Sequence, residues 1–396
     1  MAVNCYFEAV SGLTTVGATI ISGLDEMPRS ILLWRALTQW IGGLGIIVLF
    51  VAILPSLGAA TKRLFVAETG TTRSGVRPEV RQTARLLWII YSCLTLAQLI
   101  ALRLAGMTWF DATCHAFSTL ATGGFSTRDA SAAAFSSPGI EWIIILFMIL
   151  GGANFGLYCQ LVRRRFRAVL ADTELRLYLG SIAVVTAIIA AVIVHTSITS
   201  TAGQAASATT VEAVRAAAFQ TATIQTTTGF ATSDFNQWPL IAKSLLVLLM
   251  FIGGCSGSTS GGIKVIRVWI VVRALAGEIE RSFRPNVVRP VRVGGSIIDD
   301  TAMRAAMSYF IAVILLWVVG TGVLLLLEPA IDFTTAGTAV VACFSTVGPG
   351  LGRVGATETY AWLGEPSKLM LCGVMLLGRL EIFALLVLFS IRFWRD

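Results

Sequence analysis

Six stretches of this chain are apolar over about the twenty residues a helix needs to cross a hydrocarbon core. They are 30–54, 86–104, 140–162, 175–194, 305–327 and 369–393, and a seventh, 239–275, is apolar at both ends but broken in its middle. Lipid offers no water to a bare N–H or C=O, so such segments must be helices that satisfy their own backbone. Only 13% of the 396 residues are charged, against about a quarter in soluble domains. The chain therefore reads as an all-α membrane protein. No nucleophile–base or metal constellation is legible, which argues against an enzyme. Seven cysteines lack any C-x-x-C pair, and His115 and His195 lie far apart. Neither a disulfide framework nor a zinc ligand set is indicated, and the cysteines read as small packing groups.

Basic residues follow the apolar runs unevenly. Lys62, Arg63, Arg73, Arg77, Arg81 and Arg85 come after the first, Arg163, Arg164, Arg165 and Arg167 after the third, and Arg281, Arg284, Arg289 and Arg292 after the broken one. Arg392 and Arg395 close the chain. An excess of Lys and Arg marks cytoplasmic ends, so the net charge of +8 calls for no nucleic acid. Asp25, Glu26, Asp129 and Asp234 then face the outside. The start, MAVNCYFEAV, has neither the basic nor the apolar region of a signal peptide.

Between two of the apolar runs lies QTTTGFATSD, residues 225–234, which has little that belongs in hydrocarbon. It is one of four copies of Thr-x-Gly: Thr15-Val16-Gly17, Thr122-Gly123-Gly124, Thr227-Thr228-Gly229 and Thr346-Val347-Gly348. Each copy follows a short, moderately apolar segment (6–13, 110–120, 211–224 and 333–344) and precedes a long span. The short segments cannot span and read as re-entrant helices. Non-helical backbone at membrane depth survives only where protein buries it or water fills a cavity, and four loops around one axis would meet that condition together. Glycine lets backbone carbonyls turn the same way, and rings of carbonyls can replace a cation's water shell. Such hard oxygens suit alkali ions. Helices ending at the loops would direct their negative ends toward the ion.

The segments SGLTTVGAT, STLATGGFST, QTTTGFATSDF, FSTVGPGLG and FIGGCSGSTSGGIKVIRV resemble the Trk/Ktr/HKT superfamily of potassium transporters, most closely the bacterial Trk membrane subunit. The resemblance implies four helix–pore-helix–helix pseudo-repeats around one pore: 1–66, lacking its outer helix, then 82–168, 172–276 and 300–396. It implies K⁺ uptake across the plasma (inner) membrane by a multi-pass protein, with K⁺ held at the twelve residues of the four Thr-x-Gly loops. Glycine at 17 instead of serine implies K⁺ over Na⁺. The resemblance also implies a cytoplasmic regulatory subunit that binds NAD or adenine nucleotide, and a homodimer.

The third inner run is interrupted by Gly253, Gly254, Cys255, Ser256, Gly257, Ser258, Thr259, Ser260, Gly261 and Gly262. A run of small and polar residues cannot hold a lipid-facing helix. It lacks the G-K-[S/T] ending of a phosphate loop and follows a membrane span instead of a strand. It reads as an intramembrane gating loop, 253–263, which the resemblance supports. Gly151-Gly152-Ala153-Asn154 and Gly42-Gly43 are shorter weak points at comparable places. Arg379 lies inside the last run near Glu381. An ionisable group at such depth usually faces a cavity or a partner, and the resemblance implies that Arg379 is a pore-facing part of the gate. Lys264, ending the loop, has the alternative of snorkelling to the interface. The chain begins inside the first short helix, as a fragment or truncated product would. Two other readings are a Na⁺-permeable transporter of the same fold and a non-conducting remnant or assembly subunit.

Overall fold

The computed structural model describes residues 1–53, 78–200, 210–285, 291–294, 296–380 and 382–387. The chain enters through α1 (Ala2–Leu13) and α2 (Arg29–Ile53), then α3 (Pro78–Leu104), α4 (Trp109–Leu120), α5 (Pro138–Gly152), α6 (Phe155–Val162) and α7 (Phe166–Leu170). It continues with α8 (Thr173–Ser200), α9 (Thr210–Gln225), α10 (Leu240–Phe251) and α11 (Val265–Phe283). Last come α12 (Asp300–Leu327), α13 (Phe333–Phe344), α14 (Glu365–Arg379) and α15 (Ile382–Val387). A two-stranded antiparallel turn, β1 (Arg292–Val293) with β2 (Ser296–Ile297), pairs Arg292 with Ile297.

Among the described residues, three helices are long and apolar enough to cross a membrane over Ala84–Leu104, Thr173–Thr196 and Asp300–Leu327, and α5 with α6 makes a fourth if that bent pair is one span. Ile311, Leu315, Val318 and Val319 of α12 are all exposed. An apolar surface of that kind is stable against lipid tails and not against water. The chain is a multi-pass membrane protein.

Its interior inverts the usual order. Thr15, Ser118, Thr119, Thr122, Thr221, Thr223, Thr226, Thr227, Thr228, Ser345 and Thr346 are all buried. This polar centre is enclosed by eight helices in closed succession, each touching the next: α1, α2, α4, α5, α9, α10, α13, α14 and back to α1. Short helices alternate with the helices that follow them. α1, α4 and α13 have 12 residues each, about 18 Å at 1.5 Å per residue and too short for a core about 30 Å thick. Every residue of α13 from Thr335 to Phe344 is buried, so protein surrounds it where lipid cannot. α3, α8 and α12 lie outside this ring against α4, α9 and α13. On α1 the face bearing Cys5, Tyr6 and Leu13 is exposed.

The start sites follow capping chemistry. Thr108 accepts from the Asp111 amide, Asp332 from Thr335 and Asp299 from Ala302, which satisfies donors that a helix start leaves orphaned.

Three expectations change. The run 140–162 is two helices, α5 and α6, bent by 93° at the Gly152–Asn154 break. The described part of the run 369–393 falls in two helices, α14 and α15, the latter ending at Val387. At Gly42-Gly43 nothing breaks, because α2 continues through. Those glycines permit close packing instead: a Cβ on Gly42 would strike the Leu13 carbonyl, and one on Gly43 would lie 2.8 Å from Ala121 Cα. Lys62, Arg63, Arg73, Arg77, Arg289, Glu381, Arg392, Arg395 and the ends of the first and fourth proposed repeats lie outside the described residues.

Candidate functional site

Each short helix ends in the same corner. The amide of the middle residue reaches five residues back: Val16 to Ser11 at 2.9 Å, and Gly123 to Ser118, Thr228 to Thr223 and Val347 to Ala342 at 2.8 Å. This is the Schellman closure of a helix C-terminus, which places one residue in the left-handed region and normally uses glycine there. Here the residue is threonine in all four copies: Thr15, Thr122, Thr227 and Thr346 have φ between 52° and 57°. A β-branched side chain there is a genuine outlier, costing on the order of 1–3 kcal/mol, and strain of this size clusters at functional sites.

The glycine two residues on is also left-handed, with φ of 76–90° at Gly17, Gly124, Gly229 and Gly348. None has room for a side chain. A Cβ on Gly17 would strike the carbonyl oxygen of Gly123, on Gly124 that of Thr228, on Gly229 that of Val347, and on Gly348 it would stand 2.6 Å from that of Val16. The contacts run from the first corner to the second, third and fourth, and return to the first. Four carbonyl-bearing corners thus form one closed ring, each pressed on the next. The four short helices end there, so their last carbonyls and the negative ends of their dipoles converge on it.

Polar side chains hold the ring from behind. Seven residues before three of the corner threonines stand Glu8, His115 and Gln220. Glu8 accepts from Thr19 Oγ1 at 3.0 Å and from the Ile20 amide at 3.2 Å. His115 Nε2 pairs with Ser126 Oγ at 3.1 Å, and Gln220 Nε2 donates to the Ser233 carbonyl at 3.4 Å. In the fourth copy Thr338 Oγ1 accepts from the Leu351 amide at 2.9 Å. Tyr360 Oη donates to the Gly348 carbonyl at 2.7 Å. Arg35 of α2 joins two copies: it pairs with Glu8 at 2.8 Å, sits 4.1 Å over the Phe125 ring and reaches the Ser126 carbonyl. None of these was singled out from sequence. The available signal was an arginine and a glutamine within the apolar run 30–54, since polar groups inside membranes are functional candidates by default.

Removing Arg35 would leave the largely enclosed Glu8 without its cation, a change that costs about 3–5 kcal/mol where a pair is fully desolvated and less here, where Glu8 keeps some contact with solvent. Arg35→Ala should therefore lower the thermal unfolding temperature in detergent strongly. Glu8→Gln in the same chain should recover part of the loss, and additive losses would refute the coupling. At the periphery Asp25 pairs with Arg128 at 3.1 Å, and hydrogen bonding from Arg128 holds its carboxyl below the usual carboxylate range.

Directly against the threonines lies the loop 253–263. Its ends are pinched: Ile252 and Ile263 form a parallel bridge, and the Gly253 amide donates to the Ile263 carbonyl at 2.9 Å. Ser260 Oγ donates to the Thr226 carbonyl at 2.8 Å, and the Gly261 amide to Thr227 Oγ1 at 2.8 Å. Thr259 Oγ1 donates to the carbonyls of Leu120 at 2.9 Å and Gly151 at 3.1 Å. The α5–α6 bend supplies the other half of this arrangement. The Cys255 amide donates to the Gly152 carbonyl at 2.9 Å, and the Phe155 amide to the Gly257 carbonyl at 3.1 Å. The two interruptions thus satisfy each other's backbone, as buried non-helical segments must.

Arg379 belongs to this layer. It is buried and donates to the Thr259 carbonyl at 2.7 Å and the Gly42 carbonyl at 2.9 Å. Lys264 is buried too and donates to the Ser260 carbonyl, so it is a loop anchor and not an interfacial residue. The Ser256 amide is held by Glu174 Oε1 at 2.7 Å.

The family described as TrkH, cation transport protein, matches residues 2–396. The chain belongs to the TrkH family. It is 40% identical to the Trk system potassium uptake protein TrkH of Salmonella typhimurium, covering 99% of this chain and 80% of that one. Against the TrkH of Vibrio parahaemolyticus identity is 41%, with the same coverage. The crystal structure of the potassium transporter TrkH from Vibrio parahaemolyticus superposes with a TM-score of 0.86 at 38% identity, covering all of this chain and 79% of that one. The TrkG protein of Escherichia coli, also a Trk system potassium uptake protein, is 36% identical.

Proposed function

We propose that this chain takes up K⁺ across the plasma membrane through the ring of four Thr-x-Gly corners. In this reading each short helix is a pore helix, the four pseudo-repeats share one pore, and the twelve corner residues are the selectivity filter. The observation that carries it is the closed order of contacts from each corner glycine to the next corner's middle carbonyl. A ring of such oxygens, met by four helix C-termini, substitutes for the hydration of an alkali cation. Inward movement is driven by the membrane potential, about 2.3 kcal/mol per charge per 100 mV. The potassium-uptake names of the relatives support K⁺ as the cargo.

The loop 253–263 closes the path below the filter, and Arg379 locks it. The exposed arginines at 163, 164, 165 and 167, with Arg281 and Arg284, offer a basic face for a nucleotide-binding regulatory subunit, and two copies of the chain assemble as a dimer. Expression in a bacterium lacking its own K⁺ uptake should restore growth at micromolar K⁺. Bi-ionic reversal potentials should favour K⁺, and equal Na⁺ permeability would replace this reading with the Na⁺ one.

A further inference from the structure

The second corner differs from the others in one respect. The middle residues of the first, third and fourth are Val16, Thr228 and Val347, all with fully buried side chains, whereas the second has Gly123. The space that a side chain would fill at Gly123 is taken by Gln39 of α2. Its Oε1 and Nε2 atoms lie 2.6 and 2.8 Å from where a Gly123 Cβ would stand. Gln39 is itself fully buried. Its Nε2 donates to the Gly123 carbonyl at 2.6 Å, and its Oε1 accepts from the Phe125 amide at 3.0 Å. One turn earlier on the same face, Arg35 lies against the Phe125 ring and reaches the Ser126 carbonyl. The carbonyl that Gln39 grips is the one on which Gly17 of the first corner abuts, so it belongs to the ring.

We propose that Gln39 is a specificity-determining residue that sets the preference of the ring for K⁺ over Na⁺, an inference that rests on the ring being the K⁺ path. A carbonyl oxygen has two lone pairs. The carboxamide occupies one, fixes the direction of the other and lowers the charge it offers. It also wedges between backbone and helix, where the other three corners use their own Val or Thr side chains. A ring held open in this way resists the contraction that a smaller ion would require, and the field strength of each oxygen and the cavity size both enter selectivity. Gln39 acts through Gly123 and does not itself touch the ion.

The test is Gln39→Met, which keeps the length but removes both the donor to Gly123 and the acceptor for Phe125, alongside Gln39→Leu, which removes both and shortens the wedge. Each variant should reach the membrane and pass cations, with its K⁺/Na⁺ permeability ratio falling roughly tenfold, the scale on which one well-placed hydrogen bond discriminates. A ratio within a factor of about two of the parent for either inserted variant, on that same scale, overturns the proposal. A wild-type chain that fails to select K⁺ overturns it together with the reading of the ring. A second measurement needs no substitution: the ¹⁵N resonance of the Gln39 side-chain amide in the intact protein should move when K⁺ is exchanged for Na⁺. An unmoved resonance overturns the proposal even if both variants fail to fold.

Discussion

Replacing Gly229 by Ser should abolish most of the discrimination between K⁺ and Na⁺. The added Cβ would run into the Val347 carbonyl oxygen and come 3.0 Å from Pro349 Cδ, so the fourth corner must move or turn its carbonyl away. The residue would also have to hold φ near +84°, which costs an L-residue about 1–2 kcal/mol by itself. If the ring is the filter, displacing one of its four middle-residue carbonyls removes a quarter of the oxygens in that layer and breaks the ring's symmetry, so the permeability ratio should fall by roughly tenfold or more. The reversal potential under bi-ionic conditions would shift by about 59 mV per tenfold. Gly23→Ser provides the control. Gly23 has φ +76° with nothing near its missing Cβ, so that variant carries the strain without the collision and should select normally. Equal effects in the two would assign the result to strain alone and remove the ring from the argument.

The contrast between these glycines also marks what the sequence made legible. The four corners were readable because a ring built from one chain must repeat its parts, and repetition survives in sequence as Thr-x-Gly after a short apolar segment. The observed short helices Ala2–Leu13, Trp109–Leu120, Thr210–Gln225 and Phe333–Phe344 lie within four residues of those segments at each end. What repeats does not identify is what holds the parts from behind. Glu8, His115, Gln220 and Thr338 do related work with different chemistry, while from one helix Arg35 joins the first two copies and Gln39 serves the second alone. Such contacts join residues 27 and 84 positions apart, and no local pattern encodes them. The weak point at 151–154 is legible in the sequence, but the size of the α5–α6 bend is not, for a related reason. Gly151-Gly152 alone permits a kink, whereas the 93° turn is stable because loop 253–263, a hundred residues later, accepts and donates at the freed backbone groups. The snorkelling alternative for Lys264 falls on the same ground: an amine beside a membrane helix is free to snorkel only when no buried carbonyl is nearer, and Ser260 presents one.

The second large effect is expected in the loop itself. Deleting residues 256–260 should raise basal cation flux by roughly an order of magnitude or more while leaving K⁺ preference intact. The deletion removes Ser260 from the Thr226 carbonyl and Thr259 from the carbonyls of Leu120 and Gly151, the contacts that press the loop against the threonine layer. The ends of the loop are already joined by the Ile252–Ile263 bridge, so a shorter connection can close without pulling α10 from α11. The corners keep their own Schellman closures, so on the proposed reading of the corners as the filter selectivity should persist. Arg379→Ala acts on the same contact from the other side. It withdraws two charge-assisted hydrogen bonds, to Thr259 and Gly42, each worth about 1.5–3 kcal/mol. That freed interaction is enough to shift a loop from closed to mostly open if the two states differ by a few kcal/mol. Arg379→Lys can keep one of the two bonds at a time and should fall between the parent and Arg379→Ala. Stopped-flow ⁸⁶Rb⁺ uptake into vesicles measures all three against the parent. Flux unchanged in both the deletion and Arg379→Ala would mean that the loop packs against the corners without obstructing the path. A rise accompanied by lost K⁺ preference would mean instead that the loop braces the ring, and that the two layers are one device.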